Sequence, residues 1–160
     1  MELFTRGGLV SWIQKYRQLI VSALIYLSWT IAIVSMLGSL YFSDILHYPP
    51  CVLCWWQRVF MYPIVFLIGV GIVLKDRSLP YYILPLALIG TGVALYQNLL
   101  IWGVITEKLS PCSLGVSCTT TYIQWFGFIS IPFLSLLAFM FITAAMIATI
   151  VVTKTHDQRS

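Results

Sequence analysis

Charge is scarce in this sequence. Only 9% of its 160 residues are Asp, Glu, Lys or Arg, against about 25% in a soluble domain. Hydrophobic residues make up 60%, so composition alone excludes an ordinary soluble fold and points to a membrane protein. Basic runs are lacking too. None exceeds a couple of residues, so no nucleic acid is expected as a partner, and the net charge of +4 is read as a topology signal. Long polar connections are also missing. The longest, residues 106–121, is too short to bury a core of its own. No haem, flavin or nicotinamide motif is visible.

What the chain does contain is four apolar runs of the length that a bilayer demands, about 20 residues each. They cover about 19–42, 55–74, 81–105 and 122–152. The last is longer than a span needs, which would lay its first residues along the interface. The first follows Lys15 and Arg17 as a signal peptide would. It exceeds the roughly 7–15 apolar residues of a signal h-region, so it reads as a retained anchor. The expected fold is an all-α membrane protein: a four-transmembrane-helix bundle, one integral membrane domain over 1–160, with two short Cys-containing loops.

The basic residues orient the bundle. Arg6, Lys15 and Arg17 precede the first run, Lys75 and Arg77 separate the second and third, and Lys154 and Arg159 follow the fourth. Only Arg58 and Lys108 fall on the other side. Both termini are therefore expected in the cytoplasm, with the 43–54 and 106–121 loops facing outward. All four cysteines, Cys51, Cys54, Cys112 and Cys118, lie in or beside those outer loops. Thiols placed only on the oxidising side of a membrane read as disulfide-forming.

The first pair sits in "HYPPCVLCWWQR". Pro49 and Pro50 hold the approach to Cys51 extended. A helix starting near Cys54 would aim its free N–H groups at that sulfur and favour the thiolate. Arg58 would lie one turn deeper on the same face and is always charged. Cys51, ahead of the helix, is expected to be more exposed and better placed for exchange with other thiols. Arg58 has two readings. It snorkels to an outer belt with Trp55 and Trp56, or it stabilises an anionic sulfur or a polar ligand headgroup between the helices. The upstream CxxC favours the second.

The second pair sits in "SPCSLGVSCTTT", where Gly115 permits the turn that joins Cys112 to Cys118. It is either a static staple or an exchange pair. A zinc site is disfavoured, because the spacing of this pair is wider than the usual two to four residues. Gln97 and Asn98 lie in the outer part of the third run, where they are expected to meet Arg58; interhelical hydrogen bonding alone is the simpler account. Met61, Tyr62, Trp102, Trp125 and Phe126 are candidate walls for a ring-shaped ligand, or ordinary belt and core. Gly90 and Gly92 are expected at close helix contacts. Pro63, Pro85 and Pro132 are candidate kinks in helices 2, 3 and 4.

Four spans, "PCVLCWWQR" opening the second, and a second Cys pair in the other outer loop together resemble the disulfide-bond formation protein B (DsbB) family. "CVLCWWQRVFMYP", "WFGFISIPFL" and the close spacing of Cys112 and Cys118 look like its Gram-positive BdbC branch. The resemblance covers residues 19–152. It implies a thiol:quinone oxidoreductase of the bacterial plasma membrane. An extracytoplasmic thioredoxin-like oxidase (DsbA/BdbD-like) would give electrons to the second loop, which passes them to the CxxC pair and on to menaquinone or ubiquinone. By position, Cys112 resembles the sulfur attacked by the partner and Cys118 its resolving mate, able to pair with Cys51. Cys54 resembles the thiolate that engages the quinone ring, and Arg58 the arginine beside it. Gram-negative members have a longer second loop and a His in helix 3, whereas this chain has no His between Cys54 and Lys154. Gln97 is the substitute candidate for contacting the quinone. Two other readings compete. A vitamin K epoxide reductase-type enzyme would carry its loop cysteines before the CxxC, and here the CxxC comes first. A non-enzymatic membrane protein with stapled loops is the other.

Overall fold

The computed structural model describes residues 3–105 and 130–157, with side chains over 15–105 and 130–154. Within a bilayer every backbone polar group must be satisfied inside the protein, which restricts spanning segments to helices or closed barrels. This chain uses helices: α1 Leu3–Leu40, α2 Val52–Leu74, α3 Leu79–Ile101 and α4 Ile131–Asp157. Each is long and apolar enough to cross a membrane. The fold is the all-α four-helix membrane bundle that hydropathy indicates.

The helix limits differ from the apolar runs for local reasons. α1 starts well ahead of residue 19, because a helix needs no apolar side chains and no proline occurs before Pro49. At its far end it widens into a π turn, Tyr41–Ile45. α2 starts at Val52 and not at 55, directly after Pro49, Pro50 and the N-cap Cys51. α3 opens with Pro80 in its first turn, where a missing N–H costs nothing. It ends at Ile101, short of 105, because Gly103 turns the chain at a φ of +73°. Ser130 is not helical and α4 begins at Ile131. Pro132 thus opens that helix and does not kink it. Of the 122–152 run, residues 122–129 lie outside the described residues.

Contacts follow a ring in which α1 touches α2 and α4, and α3 touches α2 and α4. The core lies where the four meet, around Ile64, Ile68, Ile83, Phe139, Ile142 and Met146, all nearly inaccessible. Without a hydrophobic drive between helices in lipid, close packing and interhelical hydrogen bonds hold such a bundle. Trp29 of α1 donates to the Val65 carbonyl of α2 at 3.0 Å, and its indole lies against Gly69. Thr91 and Thr143 join α3 to α4 at 3.3 Å. Arg17 donates to the Val152 carbonyl, tying α1 to α4.

Gly90 is a close helix contact, as expected, and Gly92 is not. A Cβ at Gly90 would overlap the Phe139 ring, whereas one at Gly92 meets nothing within 4 Å. Gly90→Ala should therefore destabilise the detergent-solubilised protein by about 1–3 kcal/mol, the usual cost of overpacking. Gly92→Ala should be neutral. Thermal midpoints of the two variants check this, and equal midpoints would contradict the packing.

Candidate active site at the cysteine pair

The chain enters α2 through two prolines and reaches Cys51 in an extended conformation, φ −71° and ψ 168°. Those angles belong to an N-cap, and the Cys51 side chain takes that role: its sulfur accepts the Cys54 N–H at 3.4 Å. The free amide of the first turn is thus aimed at Cys51, not at Cys54 as a later helix start would require. The helix starts three residues earlier than the apolar run, and this moves the dipole end onto the first cysteine. A spacing of three residues across one turn brings the two side chains to the same face. The sulfurs stand 2.8 Å apart, both as free thiols.

Exposure is also the reverse of the expectation. Cys51 is 6% accessible and packs with Leu53 and Leu100, while Cys54 is half-buried. Capping folds the Cys51 side chain back over the first turn, into the gap between α2 and α3. The Cys54 sulfur beside it, and then burial, push the Cys51 thiol above the ordinary thiol range.

Gln97 reaches the pair from α3. Its Nε2 lies 3.3 Å from the Cys51 sulfur and 3.4 Å from that of Cys54. Its Oε1 accepts from Nε2 of Gln57 at 2.6 Å. Both glutamines are buried, Gln97 at 1% accessibility.

Arg58 takes a different path. Its Nε donates to Ser39 Oγ at 2.8 Å and a terminal nitrogen donates to the Ser39 carbonyl at 2.9 Å. Its guanidinium carbon lies 5.7 Å from the centre of the Trp55 ring, within cation–π range. Asn98 donates to the carbonyls of Ala94 and Pro132. Arg58, Gln97 and Asn98 therefore do not converge. Consecutive helical residues are rotated by about 100°, so Gln57 faces α3 while Arg58 faces α1. In the same way Gln97 faces α2 while Asn98 faces α4.

A cavity of about 710 Å³ opens between α1, α2 and α4. Cys54, Arg58, Met61 and Tyr62 line one side, with Phe42 and Ala138 opposite; Gln97 is not in the lining. The Tyr62 hydroxyl is buried and finds no hydrogen-bond partner among the described residues. Of the other ring-lining candidates, Trp102 lies apart, half-exposed and 6.4 Å from Phe133. Trp125 and Phe126 lie outside the described residues, as do Cys112 and Cys118. Sequence reading missed Ser39 and Gln57. Gln57 carried a signal, an amide beside Arg58 in an apolar helix. Ser39 carried none, since serine is common in membrane helices.

Residues 21–149 match the family described as Disulfide bond formation protein DsbB. The chain belongs to that family. The span that places it among DsbB proteins includes all four cysteines. It is 44% identical over 122 residues to Disulfide bond formation protein C of Bacillus subtilis, covering 76% of this chain and 88% of that one. Identity is 47% over 116 residues to Probable disulfide formation protein C 2 of Bacillus anthracis, covering 72% and 82% of the two chains. A Probable disulfide formation protein of Deinococcus radiodurans is 39% identical over 131 residues, covering 76% and 85%. No solved structure matches the chain.

Accessibility in this DsbB-family site predicts an order of labelling. In the reduced protein a small maleimide should reach Cys54 several-fold faster than Cys51, because Cys51 is buried and less of it is ionised. Mass spectrometry of the labelled peptides reads the two rates. Faster reaction at Cys51 would contradict the geometry.

Proposed function

We propose that this chain, a membrane disulfide-formation oxidoreductase, reoxidises an extracytoplasmic thioredoxin-like dithiol oxidase and passes the electrons to a membrane quinone. The partner is of the DsbA/BdbD type and the quinone is menaquinone or ubiquinone. The observation that carries this reading is the placement of Cys54. Its sulfur is 2.8 Å from that of Cys51, and the same residue lines the cavity that also holds Arg58. One cysteine thus stands at both a thiol pair and an apolar pocket.

The residues around the cavity suit a quinone. A ring with two carbonyls needs apolar walls and hydrogen-bond donors. Met61, Phe42 and Ala138 supply walls. Arg58 has five N–H donors, of which Ser39 takes two, and the Tyr62 hydroxyl lacks a partner among the described residues. The volume falls within the roughly 300–1,000 Å³ of small-molecule sites. Arg58 and Tyr62 would hold the carbonyl groups. The quinone supplies a sink for two electrons and two protons.

Two exchanges precede that sink. The partner's dithiol attacks the Cys112–Cys118 disulfide at Cys112; the partner leaves as a disulfide, and Cys112 and Cys118 become thiols. Cys118 then attacks the Cys51–Cys54 disulfide at Cys51, releasing Cys54, a step for which the buried Cys51 sulfur must be uncovered; closure by Cys112 onto Cys118 frees Cys51 and restores the loop disulfide. Cys51 and Cys54 are left reduced, with Cys54 beside the cavity. Each exchange breaks one S–S bond and makes one, so two electrons move inward without loss. The positive-inside pattern supports the direction of these steps, with both termini in the cytoplasm and both Cys loops outside the plasma membrane. The rival with stapled loops has no use for an arginine-lined cavity at the pair.

Mixing oxidised protein with a reduced thioredoxin-like partner and quinone should bleach the quinone absorbance catalytically. Cys54→Ser should abolish turnover. Arg58→Met should raise the KM for quinone about 10- to 100-fold, as expected for a lost hydrogen bond to a charged donor. Ser39→Ala, which leaves the carbonyl contact, should raise it less. Absence of quinone reduction with a competent partner, or full turnover in Cys54→Ser, would sink the reading.

A further inference from the structure

We propose that Gln97 is a catalytic hydrogen-bond donor to the Cys51–Cys54 pair, favouring its reduced form, and that Gln57 is the positioning residue that aims it. The inference rests on the pair being redox-active, as proposed above. It moves Gln97 from the quinone pocket, whose lining it does not join, to the sulfurs.

The acceptor that Gln97 meets changes with the redox state of the pair. Gln97 Nε2 is 3.3 Å and 3.4 Å from the two sulfurs. A disulfide sulfur is a weak acceptor and an anionic one a strong acceptor, since charge roughly doubles the strength of a hydrogen bond. The contact therefore stabilises the reduced, anion-bearing pair more than the disulfide. Burial strengthens it, because Gln97 is 1% accessible and no water competes. The near-equal distances mean that one donor serves whichever sulfur carries the charge.

The amide is also aimed. A carboxamide has a donor end and an acceptor end of nearly the same shape. Turned over, Gln97 would present its oxygen to the sulfurs and oppose an anion. Gln57 Nε2 holds that oxygen at 2.6 Å from the other side, which leaves only the NH2 group for the sulfurs. Arg58 does not substitute for this donor, because its guanidinium is turned to Ser39 on α1.

The test is a redox titration of the full chain, in detergent and without quinone or protein partner. Dithiothreitol reduces the Cys51–Cys54 bond and is itself oxidised to its cyclic disulfide; alkylation and mass spectrometry read the Cys51 and Cys54 peptides. Gln97→Met should lower the equilibrium constant for reduction about tenfold at neutral pH, a potential more negative by about 30 mV for this two-electron couple. Gln97→Asn keeps the site polar but withdraws the amide by one methylene. It should show the same direction of change even where the apolar variant does not fold. Gln57→Leu should lower the constant about threefold with Gln97 intact. All differences should shrink at acid pH, where both sulfurs hold protons; a purely structural role predicts a shift that is independent of pH.

Wild-type potentials in both Gln97 variants, or a shift that is the same at every pH, would overturn the proposal. A wild-type potential in Gln57→Leu would remove the aiming role. If the wild-type pair itself fails to titrate as a reversible couple, the proposed function fails and not merely this refinement.

Discussion

Inside the apolar slab of a membrane a polar side chain has no water to turn to, so its partner must be another part of the protein. The half of this bundle that holds the cysteine pair is organised by that constraint. Gln57 and Gln97 satisfy each other across α2 and α3. Arg58 gives two of its donors to Ser39 on α1, and the Asn98 NH2 group donates to the Pro132 carbonyl on α4. Each tie fixes one helix against another at the level of the cysteine pair. Removing one partner would leave the other buried and unpaired, which costs more than the bond itself contributes.

Two rotations of about 100° convert this network into a division of labour. Gln57 and Arg58 are adjacent in the chain and face different helices. The amide works on the α3 side, where the sulfurs are. The guanidinium works on the α1 side, where the cavity is. Cys54 touches both sides, with Gln97 at 3.4 Å and a place in the cavity wall. One sulfur thus borders both the buried amides and the apolar cavity, and Gln57, which holds Gln97, also reaches the cavity lining.

The prolines before Cys51 set the register for all of this. They stop any helix from starting earlier, so α2 begins at Val52 with Cys51 as its cap. A start three residues later would point the amide end at Cys54 and leave Cys51 in the loop, which is what the apolar run alone suggests. The actual start buries Cys51 and leaves Cys54 the more accessible of the two. Hydropathy marks where lipid begins, and it does not mark where a backbone begins to coil.

The sequence alone determined the fold class, because four apolar runs in a chain with 9% charge have no other stable arrangement. It also determined the pairing of Cys51 with Cys54, since three residues across a helical start bring two side chains together whatever surrounds them. Gly90 as a close contact was legible too, and Gly92 was misread, because which glycine faces a neighbour depends on how the helix is turned. That turning is a tertiary property, set by packing around Phe139 and Ile68 and not by the local sequence. It decided that Gln97 faces sulfur and not the cavity, that Arg58 meets Ser39, and that Tyr62 is left with a hydroxyl to offer.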